Sequence, residues 1–317
     1  MLIGTLVQHG NLGPTNPATV HRFKYNIPGR LNDFKGFMWF DFTLDGTLGT
    51  NVSSGDTIIQ SIRNKFQATN SDFAAIAQST TKGPVLGSNG QDGYSYAHTY
   101  HNNGFNHLYF KTAEDLSVRN FTTTAIFDSE LDFGNPSLSN DEVIFQLNGS
   151  GSQRLELRCH KKETDNSKDT FLLLYTAADG TEYKAFRDAD TMQMFTGGDQ
   201  NNEFMHLTFT VTDGIPKMYI RGVPVTLTSP DTFPDETIPK YGSGGNYGTL
   251  FNNDYIVDPF GGTSYLEHLR AKIYEVMIFS EALSTSQLKN IDMYVRDKYN
   301  SYDKGWINGN ETELSGL

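Results

Sequence analysis

An antiparallel β-sandwich or jelly roll, with one helix packed on it near the C-terminus, is the fold that this 317-residue sequence predicts. Three observations predict it. Short alternations of apolar or aromatic with polar residues recur along most of the chain, turn-forming triplets fall between them, and one late segment changes to helical spacing. Composition agrees: 22 Phe and 16 Tyr beside 30 Gly suit many short strands joined by tight turns. Charged residues are 20% of the chain and the hydrophobic set is 37%, the balance of a globular protein rather than a disordered one.

Residues 1–36 differ from the rest of the chain. They carry Pro14, Pro17 and Pro28 among several glycines, with short extended pieces at 2–7 and 20–25. No alternating run there is long enough to build a core, so the segment reads as an arm docking on the main domain or on a neighbouring subunit. A first edge strand with a disordered lead-in is the other reading. From Phe37 strands are expected at 37–42, 107–112, 121–127, 142–147, 154–159, 170–176, 206–212, 217–222 and 272–279. Asn148-Gly149-Ser150, Ala178-Asp179-Gly180 and Thr212-Asp213-Gly214 supply turns between them. Near the end, Ser284 with Gln287 forms a capping box, and Leu283 with Leu288 is placed to staple it. Leu288, Ile291 and Val295 then repeat at helical spacing, giving an amphipathic helix on the sandwich. Residues 301–317 read as a loose polar tail.

The formal charge of −12, from 37 acidic and 25 basic residues, argues against a nucleic-acid partner. The one basic run, RCHKK at 158–162, is followed by Glu163 and Asp165 and reads as a solvated strand end. Cys159 is the single cysteine, so no intrachain disulfide is available. MLIGTLVQHG lacks the basic n-region, the apolar length and the cleavage site of a signal peptide, and no stretch has the ~20 apolar residues of a membrane helix. Synthesis in a cytoplasm without conventional export, and without membrane insertion, is the expectation.

Five passages carry a family resemblance. AKIYEVMIFSEALSTSQLKNIDMYVRDKY (271–299) resembles the last strand and closing helix of concanavalin A-like lectin/glucanase domains of the LamG-like group. FMHLTFTVTDGIPKMYIRGVPV (204–225) is similar to their D-G hairpin, and WFDF (39–42), AQSTTKGPVL (77–86) and LYFKTAEDLSV (108–118) are similar to their opening strands. The resemblance runs in order over 37–300 and implies two stacked, curved antiparallel sheets. It supplies a fold, not a chemistry. Glycoside hydrolases of the superfamily carry E-x-D-x-x-E on one strand. Here Glu130 and Asp132 are followed by Asn135 in place of the second glutamate, so a retaining mechanism would lack its acid/base. A non-enzymatic protein is expected, with a glucanase-like hydrolase as one alternative.

Two aromatic segments are the candidate ligand sites. GYSYAHTYHNNGFNH (93–107) spaces Tyr94, Tyr96, His98 and Tyr100 two apart, which in a strand sets all four on one face. A hairpin turning at Asn102-Asn103-Gly104 is expected, its aromatic face packed against the arm or a neighbour, or open to sugar. His98 and His101 would point to opposite faces, whereas His98 and His107 meet only across that hairpin, as a zinc pair or at a symmetric subunit contact. The second segment, 240–262, holds Tyr241, Tyr247, Phe251 and Tyr255 among Asn246, Asn252 and Asn253. It serves either a ligand or an oligomer contact. No cofactor is expected. The resemblance admits calcium, with Asp254 and Asp258 as ligands, although their spacing does not define a site.

The sequence reading is therefore a virion structural or binding protein: a phage fibre, tail adhesin or capsid-decorating domain with a lectin-like face. It would self-associate, as a trimer, and grip other virion proteins through the arm. A bacterial surface or secreted carbohydrate-binding module is the alternative. Light scattering of the full chain and of a form lacking 1–36 should show an oligomer and a monomer respectively; the same oligomeric state in both would remove the arm from assembly.

Overall fold

The computed structural model describes residues 34–43, 48–53, 55–67, 73–77, 79, 82–98, 107–129, 141–161, 169–187, 203–242, 247–251 and 271–300. Most of the expected arm, the tail 301–317, and Tyr100, His101, Glu130, Asp132, Asn135, Asp254, Tyr255 and Asp258 lie outside them. In chain order the strands are β1 (Gly36–Asp41), β2 (Leu48–Ser53), β3 (Asp56–Ile62), β4 (Ala75–Ala77), β5 (Val85–Gly87), β6 (Tyr96–His98), β7 (Leu108–Phe110), β8 (Leu116–Ser117), β9 (Phe121–Ser129) and β10 (Asp141–Asn148). They continue as β11 (Arg154–Lys161), β12 (Asp169–Thr176), β13 (Glu182–Phe186), β14 (Glu203–Thr212), β15 (Ile215–Ile220), β16 (Val223–Val225), β17 (Thr237–Ile238), β18 (Gly248–Leu250) and β19 (Ala271–Phe279). The helix α1 spans Thr285–Tyr299.

All named pairings are antiparallel, and they form a β-sandwich with one C-terminal helix. One sheet runs β16-β15-β14-β9-β19-β1. The other runs β13-β12-β11-β10-β18-β7-β4-β3-β2. β5 and β6 join them at a corner, since β5 pairs with β3 and β6, and β6 pairs with β19. Both edges of β6 are thereby taken, so Tyr96–His98 cannot also be the first arm of a hairpin returning through His107. The physical cause is a 3₁₀ turn at Gln91–Gly93, with Asp92 at φ 52°, which delays strand pairing until Tyr96.

Alternation puts one face of each sheet into the shared core. Phe40 and Phe127 of the first sheet meet Phe110 and Phe171 of the second edge-on, at 5.3 and 5.9 Å between ring centroids. The strands turn where the sequence places turn residues. Asp213 (φ 51°) and Gly214 (φ 82°) adopt the left-handed pair that a two-residue hairpin requires. Arg221 and Gly222 repeat this, so the strand expected at 217–222 ends at Ile220. A Cβ at Gly222 would lie 2.5 Å from Asp292 Cγ, which ties that turn to the helix packed above it.

α1 covers the outer face of the first sheet. Ser284 Oγ accepts from Gln287 N while Gln287 Oε1 accepts from Ser284 N, and Asn300 closes the helix in the left-handed conformation. Leu288, Ile291, Val295 and Tyr299 pack on Trp39, Phe204, Tyr274 and Met277. Beneath this apolar contact lies a buried ionic tie. Asp41 and Glu275 stand opposite each other on β1 and β19. Lys298 Nζ donates to Asp41 Oδ2 at 3.0 Å and to Glu275 Oε1 at 2.6 Å. Trp39 Nε1, Tyr294 Oη and Tyr299 Oη also donate to Glu275, and Lys65 and Thr43 donate to Asp41. Two carboxylates thus face two ammonium groups, and hydrogen bonds fill their remaining oxygens, the condition under which buried charge is tolerated.

Burial alone would raise the Asp41 carboxyl, but Lys298 and Lys65 outweigh it and hold Asp41 far below the usual carboxylate range. Its contribution to stability is complete above the unfolded value of about 3.9 and is lost as pH falls through the folded one. Burial lowers Lys298, but Asp41 and Glu275 more than reverse this, so its contribution holds through neutral pH and is lost only in strong base. Lys298→Met, which strands two buried carboxylates, should cost about 3–5 kcal/mol in denaturant unfolding. Acid melts should steepen below about pH 4 in the native chain and less so in Asp41→Asn; parallel acid profiles would show that the tie is not what acid breaks.

Candidate functional site

The outer face of the second sheet carries a different chemistry. On β11, Leu155 and Leu157 face the core, so Arg154, Glu156 and Arg158 face away. On β10, Phe145 and Leu147 are in the core and Gln146 and Asn148 point outward; on β18, Leu250 is inward and Thr249 outward. On β7, Tyr109 is outward and Lys111 follows in step. Register aligns these into a row across strands: Glu156 opposite Gln146, Gln146 opposite Thr249, Thr249 opposite Tyr109 and Tyr109 opposite Ile76.

The middle of the row is buried: Glu156 is 0%, Gln146 1%, Thr249 1% and Tyr109 5% exposed. Glu156 Oε2 accepts from Arg158 Nη2 at 2.7 Å and from Arg154 Nε at 3.2 Å, while Oε1 has no hydrogen-bond partner among the described residues. Burial pushes the Glu156 carboxyl up against the opposing pull of Arg158 and Arg154. The reading of 158–162 as a solvated strand end is therefore wrong at its first residue. Arg158 is 6% exposed because Glu156, two residues earlier on the same face, gives it a buried counterion.

One end of this face reaches solvent, and there the structure brings two of the candidate residues together. Tyr241 is 36% exposed. Its ring centroid lies 4.9 Å from that of Tyr247, at an interplanar angle of 46°, and their hydroxyls are 3.1 Å apart. Asn148 Nδ2 donates to the Tyr247 carbonyl at 2.8 Å, and Asn148 Oδ1 accepts from Gln146 Nε2. Lys111 Nζ lies 4.8 Å from the Tyr241 ring centroid. The platform is held from behind. β8 pairs with β17, Lys240 N donates to Asp115 Oδ1, and Tyr241 N donates to Thr112 Oγ1. Gln153 Nε2 donates to the Thr237 carbonyl and to Tyr175 Oη, which itself donates to Glu236, fixing this ribbon to β12. What results is an amphipathic contact: two phenol rings with an amide, an ammonium group and hydroxyls at their edges.

The other candidates are placed elsewhere. Phe251 is 1% exposed and packs on Phe42 in the shared core, 5.5 Å between centroids. Tyr94 is 5% exposed, its ring edge-on to Tyr299 at 5.2 Å beneath the helix. Tyr96 packs against Tyr274 at 6.0 Å, with His98 at 6.1 Å and the Lys272 ammonium 5.6 Å from its ring. Tyr94 and Tyr96 thus serve the chain's own helix side rather than one open four-residue face. His107 lies on the second sheet's face, hydrogen-bonded to Tyr109 Oη at 2.6 Å. Among the described residues no three His, Cys, Asp or Glu side chains come together as a metal site.

No protein-family model and no curated protein sequence matches the chain. Among solved structures it is similar to domain 4 of AbnA, a GH43 extracellular arabinanase from Geobacillus stearothermophilus, in complex with arabinotriose. That match has 14% identity over 82% of this chain and 98% of the other, with a TM-score of 0.48. It is also similar to the botulinum neurotoxin serotype G binding domain, at 12% identity over 81% of this chain and 50% of that one, TM-score 0.47. A Trypanosoma rangeli sialidase in complex with sialic acid matches at 12% identity over 82% of this chain and 32% of that one, TM-score 0.42. These are likenesses of low identity and low score, and none transfers an activity or a ligand.

The two kinds of tyrosine-segment residue should separate by substitution. Tyr241→Ala should change unfolding free energy by no more than about 0.5 kcal/mol, as at an exposed site. Phe251→Ala should cost about 3–5 kcal/mol through the cavity it opens. Equal losses in denaturant titrations would mean that Tyr241 is core rather than platform.

Proposed function

We propose that this chain is a non-enzymatic, glycan-binding β-sandwich whose ligand contact is the platform of Tyr241 and Tyr247 with Asn148 beside them. The observation that carries the proposal is the exposed Tyr241 ring packed on the half-buried Tyr247 at the open end of a polar sheet face. Sugars present both C–H faces and hydroxyls, and such a ligand matches rings edged with amide and hydroxyl groups. The rings also come from segments pinned by backbone hydrogen bonds, so little order is lost on binding.

The non-enzymatic part is supported by how buried carboxylates among the described residues are used. Asp41 and Glu275 are tied to Lys298, Glu156 to Arg154 and Arg158, and Asp128 to the Tyr274 hydroxyl. Each has at least one oxygen held by a structural donor. Within this proposal the chain belongs on a virion, as a fibre, tail adhesin or decoration protein that presents the glycan face outward and self-associates. The bacterial surface or secreted module remains the alternative setting for the same face.

A glycan array probed with the full chain should give ligands whose binding falls at least about tenfold in Tyr241→Ala and in Tyr247→Ala, the order of loss seen when a stacking aromatic is truncated. Turnover of a bound glycan would overturn the non-enzymatic part. Binding untouched by both substitutions would move the site off this platform.

A further inference from the structure

We infer that the ligand of this face is an anionic glycan, bearing a carboxylate or a sulfate ester, and that Lys111 selects it. The inference rests on the glycan-binding reading above and adds the ligand's charge. Lys111 follows β7 in step with Tyr109, so it projects on the same outward face as the tyrosine platform. It is half-buried, and its ammonium is held over the Tyr241 ring, 4.8 Å from the centroid.

Among the described residues its charged group contacts a ring and not a carboxylate. Lys65, Lys184, Lys298, Arg154, Arg158 and Arg296 each have a carboxylate partner within 4.0 Å. Among the described residues Lys111 has none; its cationic contact is with an aromatic face. Lys240, the chain neighbour of Tyr241, is exposed and likewise without an ion pair among the described residues. In a chain of formal charge −12, what distinguishes Lys111 is where it stands, at the ring of the platform itself, within reach of a group stacked there. A carboxylate or sulfate beside the stacked sugar would turn the ring-held ammonium into a charge-assisted hydrogen-bond donor, a stronger interaction than a neutral hydroxyl provides. The repelling field of the rest of the chain makes such binding depend on this short-range contact rather than on steering from a distance.

The test is calorimetric titration of the full chain with matched pairs. One pair is a galacturonic-acid oligosaccharide and its carboxyl-reduced form; the other is a heparan sulfate oligosaccharide and its desulfated form. One anionic member should bind about tenfold tighter than its neutral partner, and the pair that shows the difference identifies carboxylate or sulfate as the group read. Lys111→Gln should bring the anionic member to its neutral partner's affinity, and Lys111→Arg should restore the preference. Both variants should melt with the native chain. Equal binding of both members, or a preference that survives Lys111→Gln, overturns the inference while leaving the platform reading in place. Retention of all binding in Tyr241→Ala would instead sink the platform reading itself.

Discussion

One ammonium group between two carboxylates sets the terms for the rest of the molecule. Lys298 sits at 3–4% of its free exposure, a position that an isolated charge would not hold. It is tolerable because Asp41 and Glu275 face each other across β1 and β19, and because tryptophan and tyrosine donors complete the glutamate. Apolar contact between α1 and its sheet would permit several helix positions. The tie permits one, since a shift along the sheet would leave charges buried without partners. The helix then fixes Tyr94 and Tyr274 beneath it, and through β6 the corner where the two sheets join.

The two outer faces consequently have different roles. The helix covers the first sheet's outer face with aromatic and aliphatic side chains, over the ionic tie of Asp41, Glu275 and Lys298. The second sheet carries a row of Glu, Gln, Thr and Tyr that becomes accessible at the tyrosine platform. Division of labour between a rigid, helix-backed layer and a layer with an open end suits a binding domain, because platform residues placed on short, pinned segments keep their geometry without ligand.

Much of the first layer was legible in the residues. β9, β14 and β19 are long enough for period two to declare itself, and Asp213-Gly214 names its own turn. Ser284 and Gln287 mark the helix start because a capping box is local. Strands of three residues, such as β4 to β6, carry no measurable period, and their existence depends on partners far away in the chain. The tyrosine run from Tyr94 misled for a related reason: alternation is real in the letters, but the 3₁₀ turn at Gln91–Gly93 postpones the strand. The platform was half visible. Tyr241 and Tyr247 stood out by type, whereas Asn148 and Lys111 are ordinary residues that matter only through the pairing of β10, β18 and β7. Arg154, Glu156 and Arg158 did show a signal, a charged residue at every second position opposite leucines, which marks a strand whose polar side has its own partners.

The separation of 257 residues between Asp41 and Lys298 has a consequence for how the chain is made. Vectorial synthesis delivers β1 early and its neighbour β19 late, so Trp39 and Asp41 leave the ribosome long before β19 and the helix can cover them. At about 5–20 residues per second, that interval lasts on the order of ten seconds or more. During it the first strand is an open edge with a buried-type charge exposed to water, where hydration keeps it soluble and discourages edge pairing with another nascent chain. The acid that later anchors the helix thus acts first as a gatekeeper.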